Sequence, residues 1–288
     1  MDTLTFISYV FLAGVSYSSI LFLIASGLSL IFGNIGVLNL AHGALYMVGA
    51  YLGILAATSG GNWWLGLFAS GFGVALIGFI LDKAFFSHLY KRLNDQVLLT
   101  IGLIYVFANV TLWIWGAWPK TGTAPSVIVG SISTGQYSIT IYRLVLVVIG
   151  VLFFVLLLWL QEKTRVGAII RAGLDDKQMV LGSGINYLLV STLLFASGAF
   201  MGGVAGFLGS PILGVQPEIG FDITLLAVIV VIVGGVGRVQ GTLLGAVVIG
   251  LIDSFGRAFF PFFSQYTPFV VMILVLLFRP YGLLGRKQ

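Results

Sequence analysis

The chain alternates long apolar runs with short polar interruptions. The runs lie near 6–32, 36–57, 64–81, 96–118, 141–160, 186–209, 223–235, 242–260 and 267–278. A helix crossing the hydrocarbon core of a bilayer needs about 20 apolar residues, so most of these are expected spans. Two of them, 223–235 and 267–278, are too short to cross unaided and read as half-helices or parts of bent spans. Helices are preferred to barrel strands because the runs lack the alternation of a barrel and because a helix satisfies its own backbone in lipid. The pattern predicts an all-α, polytopic helix bundle of eight or nine membrane segments, some interrupted, forming one transmembrane domain over 1–288. Only Asp2 and no basic residue precedes the first run, which is therefore expected to be a permanent span and not a cleaved signal.

Composition narrows the function classes. The 288 residues hold 14 Lys/Arg and 9 Asp/Glu, 8% charged, against 59% hydrophobic and a mean hydropathy of +1.11. Soluble domains carry about a quarter of charged residues, so a soluble enzyme or a nucleic-acid binder is excluded. With no cysteine, disulfides, thiol chemistry and Cys-ligated metals are excluded as well, and two histidines, His42 and His88, argue against a dedicated metal cage.

The net charge of +5 is positional. Lys83, Lys91 and Arg92, then Lys163, Arg165, Arg171 and Lys177, then Arg279, Arg286 and Lys287 account for ten of the fourteen basic residues. The connection 119–140 has Lys120 alone, and 210–222 has none. By the positive-inside rule, 82–95, 162–184 and the C-terminus are expected in the cytoplasm and the N-terminus outside. That requires an odd number of crossings, for which nine fits.

Glycine, 39 residues, is about twice as frequent as usual. Gly198, Gly202 and Gly206, and again Gly241 and Gly245, recur every four residues, as close helix packing in lipid requires. Two stretches differ in kind: GNIGVLNLAHGALYMVGAYLG (33–53) and GGVGRVQGTLLGAVVIG (234–250). Each has Gly-x-x-Gly, a polar patch, another glycine and a small-residue helix, a weak internal repeat of the kind transporters build around interrupted helices. Asn34, Asn39 and His42, with Gly43 and Tyr46 beside them, are the candidate lining of a translocation path. A tight turn with Asn caps and no substrate contact is the competing reading.

Other polar residues at depth are few. Asn109 is expected to make an interhelical hydrogen bond, and Asp253 and Arg257, four apart, to neutralise each other. Glu218 and Asp222 read as a solvated outer loop or a partner-docking site. The most polar stretch, EKTRVGAIIRAGLDDKQMVLGSGIN (162–186), has helical spacing and is ended by Gly182 and Gly184. Its mixed charges favour a protein partner over a lipid surface.

RAGLDDKQMVLGSGIN (171–186) resembles the cytoplasmic coupling segment of permease subunits of branched-chain amino-acid ABC importers, approximately Arg-Ala-x-x-x-Asp-x-x-x-Ala-x-x-x-Gly-Ile-Asn. Arg171, Ala172, Asp176, Gly184, Ile185 and Asn186 match, and Val180 replaces the usual Ala. GLSLIFGNIGVLNLAHGALYMVGAYLG (27–53), with Leu40 where Phe is common, GGVGRVQGTLLGAVVIG and the ending FRPYGLLGRKQ (278–288) are also similar. The shorter of the two permeases of such importers is the better match.

The resemblance implies a division of labour. Two permeases, usually different, form the path. Two ABC ATPase subunits grip Arg171, Ala172, Asp175, Asp176, Gly184 and Asn186 from below, and a periplasmic or lipoprotein binding protein delivers solute. By the same resemblance this chain binds no cofactor, ATP and magnesium being used by the ATPase subunits. It also implies a bacterial inner membrane and a branched-chain or related hydrophobic amino acid, although related importers carry urea, other amino acids or organic acids. The chain has no Gly-x-x-x-x-Gly-Lys-Ser/Thr loop. The main rival is an ion-coupled secondary transporter, which would carry a buried carboxylate; Asp253 is the one candidate.

Overall fold

Helix α1 (Thr3–Ile35) is the axis of the molecule, buried almost throughout from Ser16 to Ile31. The computed structural model describes residues 3–90, 92–125, 128, 130–134, 137–175 and 177–285. Small residues explain why α1 can sit at the centre. Gly14 and Ser18 receive α10 (Val239–Phe259) at Leu251 and Gly250, and Gly27 receives α8 (Tyr187–Leu213) at Gly198. Both neighbours run antiparallel to α1. α2 (His42–Gly60) runs alongside α8, with Gly49 on Gly203 and Gly206 on Tyr46, and α3 (Trp63–Ala84) returns with Gly66 on Phe207 and Gly78 on Ala199. The expectation that the four-residue glycine repeats are packing devices holds at both sets, since Gly241 and Gly245 of α10 pack on the backbone of Gly234 and Val230.

The outer layer is α4 (Leu93–Trp115), α5 (Ile141–Lys163) and α11 (Thr267–Phe278), whose residues are largely exposed and apolar, as lipid-facing helices are. Among the described residues eight helical segments are long and apolar enough to cross a membrane. The run 267–278 joins the short 3₁₀ helix Pro261–Tyr266 to make one of the eight. α9 (Ile219–Gly234) is the shorter one. It runs opposite to α8 and α10, so nine helices alternate in direction and the first and last point the two chain ends to opposite faces. The face where α1 ends and α8 begins holds Lys83, Arg92, Lys163, Arg165, Arg171 and Arg279 and is here the basic face.

Two details depart from the pattern. A hairpin of β1 (Ser131–Thr134) and β2 (Tyr137–Thr140) covers the opposite face, where Tyr137 stacks 5.4 Å from Tyr9. The segment 162–186 is not one helix. α5 runs on to Lys163, Thr164 is extended, and α6 (Arg165–Asp175) and α7 (Lys177–Gly182) follow. The break has a local cause: the Thr164 hydroxyl accepts the Gly167 N–H, starting a new helix, and Gly167 lies so close to Gln161 O that no side chain would fit. α7 ends at Gly182, and Gly184 follows with φ +78°, a stop made by the glycines.

Candidate functional site

The apolar run 36–57 is helical only from His42 onward. Residues 36–41 turn back from the end of α1 as non-helical chain, yet Val37, Asn39 and Ala41 are completely buried. His42 reaches Ile24 O of α1 through Nε2 at 3.1 Å. Ile24 is eleven residues from the end of α1, roughly 16 Å at 1.5 Å per residue, so α2 begins deep within the bundle. Non-helical backbone at that depth must find partners in the protein, and it does. Leu38 N–H donates to Gln96 Oε1, Ala41 N–H to Asn39 Oδ1, His42 N–H to Asn39 O, and Gly43 N–H to Thr224 Oγ1.

The last of these bonds joins a second broken element. After α8 the chain returns inward through 214–218, pinned by paired backbone bonds between Val215 and Lys120, and α9 starts at Ile219. A Cβ on Gly43 would stand 2.1 Å from Gly220 O, so only glycine allows the first turns of α2 and α9 to touch. The repeated stretches also meet at the basic face: Gly33 lies on Gly237, and Gly36 and Gly237 share left-handed φ values of +73° and +78°.

Beside the α2–α9 junction lies a cavity of about 560 Å³. α2 contributes Ala44 and Met47, and α4 contributes Ile101, Ile104, Tyr105, Ala108, Asn109 and Leu112. Ala117 and Gln216, Pro217, Glu218, Gly220 and Phe221 close it. Its walls are mainly apolar with a few polar groups, the character of a small-molecule passage. Of the sequence candidates, Asn39, His42, Gly43 and Tyr46 are brought together here but sit behind the wall. Asn39, His42 and Tyr46 are fully buried, and Asn39 Nδ2, His42 Nδ1 and the Tyr46 hydroxyl have no hydrogen-bond partner among the described residues. Asn34 stands apart near the end of α1, donating to Leu30 O. Asn109 does not bridge helices: its Nδ2 donates to Tyr105 O of its own helix, and its side chain faces the cavity. Glu218 is exposed in the turn before α9, as a solvated loop predicts, and it also lines the cavity, whereas Asp222 stands on α9 itself.

The residues missed by sequence reasoning are those of α4. Positions 101, 104, 105, 108, 109 and 112 form one helical face, but in an apolar helix that spacing cannot be told from a lipid-facing stripe. Gln216-Pro217-Glu218, polar between two apolar runs, was the available signal.

At the basic face, α6 and α7 are fastened to the spans on either side. Arg171 donates to Gln161 O of α5, the Tyr187 ring at the start of α8 fills the space where Gly173 has no side chain, and Ile170 and Val180 are buried. Asn186 caps α8, its Oδ1 accepting the Leu189 N–H at 3.1 Å. Arg171 and Ala172 are exposed. Asp176 lies outside the described residues, as does the side chain of Asp175. Nearby, Tyr90 donates to Asp82 Oδ1 at 2.8 Å; burial, then the adjacent carboxylate, holds the Tyr90 hydroxyl well above its ordinary range, so it remains a donor. Asp253 and Arg257 pair at 2.7 Å, as their spacing predicts.

Broken helices meeting at depth beside a cavity, with a polar helical segment hung between two spans, are the architecture of a multi-pass membrane protein, and the family comparison makes it a transport protein rather than an enzyme. The family described as branched-chain amino acid transport system / permease component matches residues 10–278, and the chain belongs to it. It is similar to the high-affinity branched-chain amino acid transport system permease protein LivH of Salmonella typhimurium, 32% identical over 96% of this chain and 94% of that protein. LivH of Escherichia coli is 31% identical and BraD of Pseudomonas aeruginosa 30%, each with the same coverage. No solved structure matches the chain.

Proposed function

We propose that this chain passes branched-chain or related hydrophobic amino acids across the bacterial inner membrane as one permease of an ABC importer. In this reading the basic face lies in the cytoplasm, the N-terminus outside and the C-terminus inside. A second permease closes the open side of the cavity along α4. Two ATPase subunits, which use ATP and magnesium, grip α6 and α7, and a binding protein delivers solute at the opposite face. The observation that carries the reading is the fastening of α6 to both α5 and α8, through Arg171 with Gln161 and through Gly173 with Tyr187. Displacing α6 then moves two spans that pack on α1, while the cavity opens or closes at the α2–α9 junction.

The cavity suits passage rather than storage. Burying an aliphatic side chain contributes roughly 2 kcal/mol, whereas millimolar binding already corresponds to about 4 kcal/mol. Apolar walls alone would admit such a solute without trapping it, leaving selectivity to the binding protein.

Reconstitution tests the reading. Proteoliposomes holding this chain, its partner permease and the ATPase subunits should take up leucine only with ATP and binding protein. Gradient-driven uptake by this chain alone, without ATP, would contradict it and favour the ion-coupled alternative.

A further inference from the structure

We propose that Glu218 is the counter-charge for the α-ammonium group of the passing amino acid, an assignment that rests on the substrate reading above. Among the described residues Glu218 is the one carboxylate in the cavity wall, and no described lysine or arginine shares that wall. The ion pairs among the described residues are Arg92–Asp95 and Asp253–Arg257, so Glu218 is in neither. It occupies the residue before α9 and makes no side-chain capping hydrogen bond there. The carboxylate is therefore not consumed by the helix.

The surroundings select the ligand. Facing Glu218 across the cavity are aliphatic groups on α4, among them Ile101, Ile104 and Leu112, with Met47 of α2. A single negative charge against an apolar wall suits a molecule that carries a cationic nitrogen close to a hydrocarbon tail. It repels a simple carboxylate of the same shape, which lacks the adjacent ammonium group that in an amino acid offsets the repulsion of its own carboxylate. Glu218 is exposed and not sealed in, so its charge-assisted bond to an ammonium group competes with water and lets the solute leave. The second acid of this region, Asp222, is one turn further along α9 and does not line the cavity.

The test uses the complete importer in proteoliposomes with saturating leucine-loaded binding protein, and reads uptake and ATP hydrolysis together. Glu218→Gln should lower leucine uptake at least tenfold while stimulated ATP hydrolysis stays within twofold of wild type. Glu218→Asp should restore a substantial part, and Asp222→Asn should behave as wild type. Uptake by Glu218→Gln within twofold of wild type overturns the assignment. Equal loss of stimulated hydrolysis in Glu218→Gln and Asp222→Asn also overturns it, and gives the two acids to binding-protein docking. A wild-type importer that hydrolyses ATP but moves no branched-chain amino acid removes the substrate reading, and this assignment with it.

Discussion

Gly206 offers the sharpest test of the packing on which the fold depends. A methyl group placed there would stand 2.0 Å from Tyr46 O and 2.9 Å from Ala50 N, where ordinary contact begins at 3.4 Å. Both are backbone atoms of α2 and cannot rotate away, so α2 and α8 must part by roughly 1.4 Å. A radial gap of that size forfeits much of the dispersion contact between the two surfaces, and Tyr46 and Ala50, both fully buried, lie in it. Overpacking of this kind costs about 3 kcal/mol, the upper end of the usual range, because neither side can yield. For a chain of this size that lowers Tm by about 5 °C. Gly102→Ala is the matched control. It makes the same chemical change on α4, where nothing lies within 4 Å, and gains helix propensity of up to about 1 kcal/mol. The assay is the temperature at which the detergent-solubilised protein loses its monodisperse elution. Equal midpoints for Gly206→Ala and Gly102→Ala would refute the argument that α2 and α8 touch backbone to backbone.

Three further outcomes are expected. Gln96→Ala removes the acceptor of the Leu38 N–H and the donor to Leu89 O, both at a fully buried side chain; it should cost about 2 kcal/mol and speed hydrogen exchange at the Leu38 amide, whereas an unchanged exchange rate would show that the 36–41 turn is held by other bonds. Arg257→Ala leaves the buried Asp253 carboxylate unpaired, so the double variant with Asp253→Asn should be more stable than Arg257→Ala alone, and the full double-mutant cycle should give a coupling of about 1–2 kcal/mol. Tyr142→Phe deletes a 2.7 Å bond to Leu208 O and should lower stability by about 1 kcal/mol in the same thermal assay.

The bundle was legible because lipid imposes one rule on every span: each must be long, apolar and helical. That rule located the segments and marked 223–235 and 267–278 as short; the first is α9, and the second becomes a span only by joining 261–266. It misplaced the start of the second: residues 36–41 are non-helical, with Gly36 in the left-handed region, Asn39 Oδ1 accepting the Ala41 N–H, and Gln96, 58 positions away, accepting the Leu38 N–H. The interrupted-helix motif was correctly placed at Gly43, where a glycine is needed for contact with Gly220. Its polar residues were legible as a cluster but not as a surface. Asn39 is taken up by its own turn and His42 by Ile24, bonds that depend on a tertiary arrangement no local pattern encodes. The cavity wall on α4 was hidden for a related reason: aliphatic side chains facing solute and facing lipid look alike in sequence. Thr164 and Gly167, which break the cytoplasmic helix, were legible in principle as a cap and a close approach.

The central claim is that a nucleotide-driven partner takes hold of α6. The chain has no cysteine, so Ala172→Cys, on the exposed side of α6, gives a single site for a thiol cross-linker in the assembled importer. Trp118→Cys, 84% exposed at the opposite face, is the control. Capture of an ATPase subunit is expected from Ala172→Cys, with a yield that changes when ATP binds, and none from Trp118→Cys. Absence of capture from Ala172→Cys, or equal capture from both positions, would contradict it.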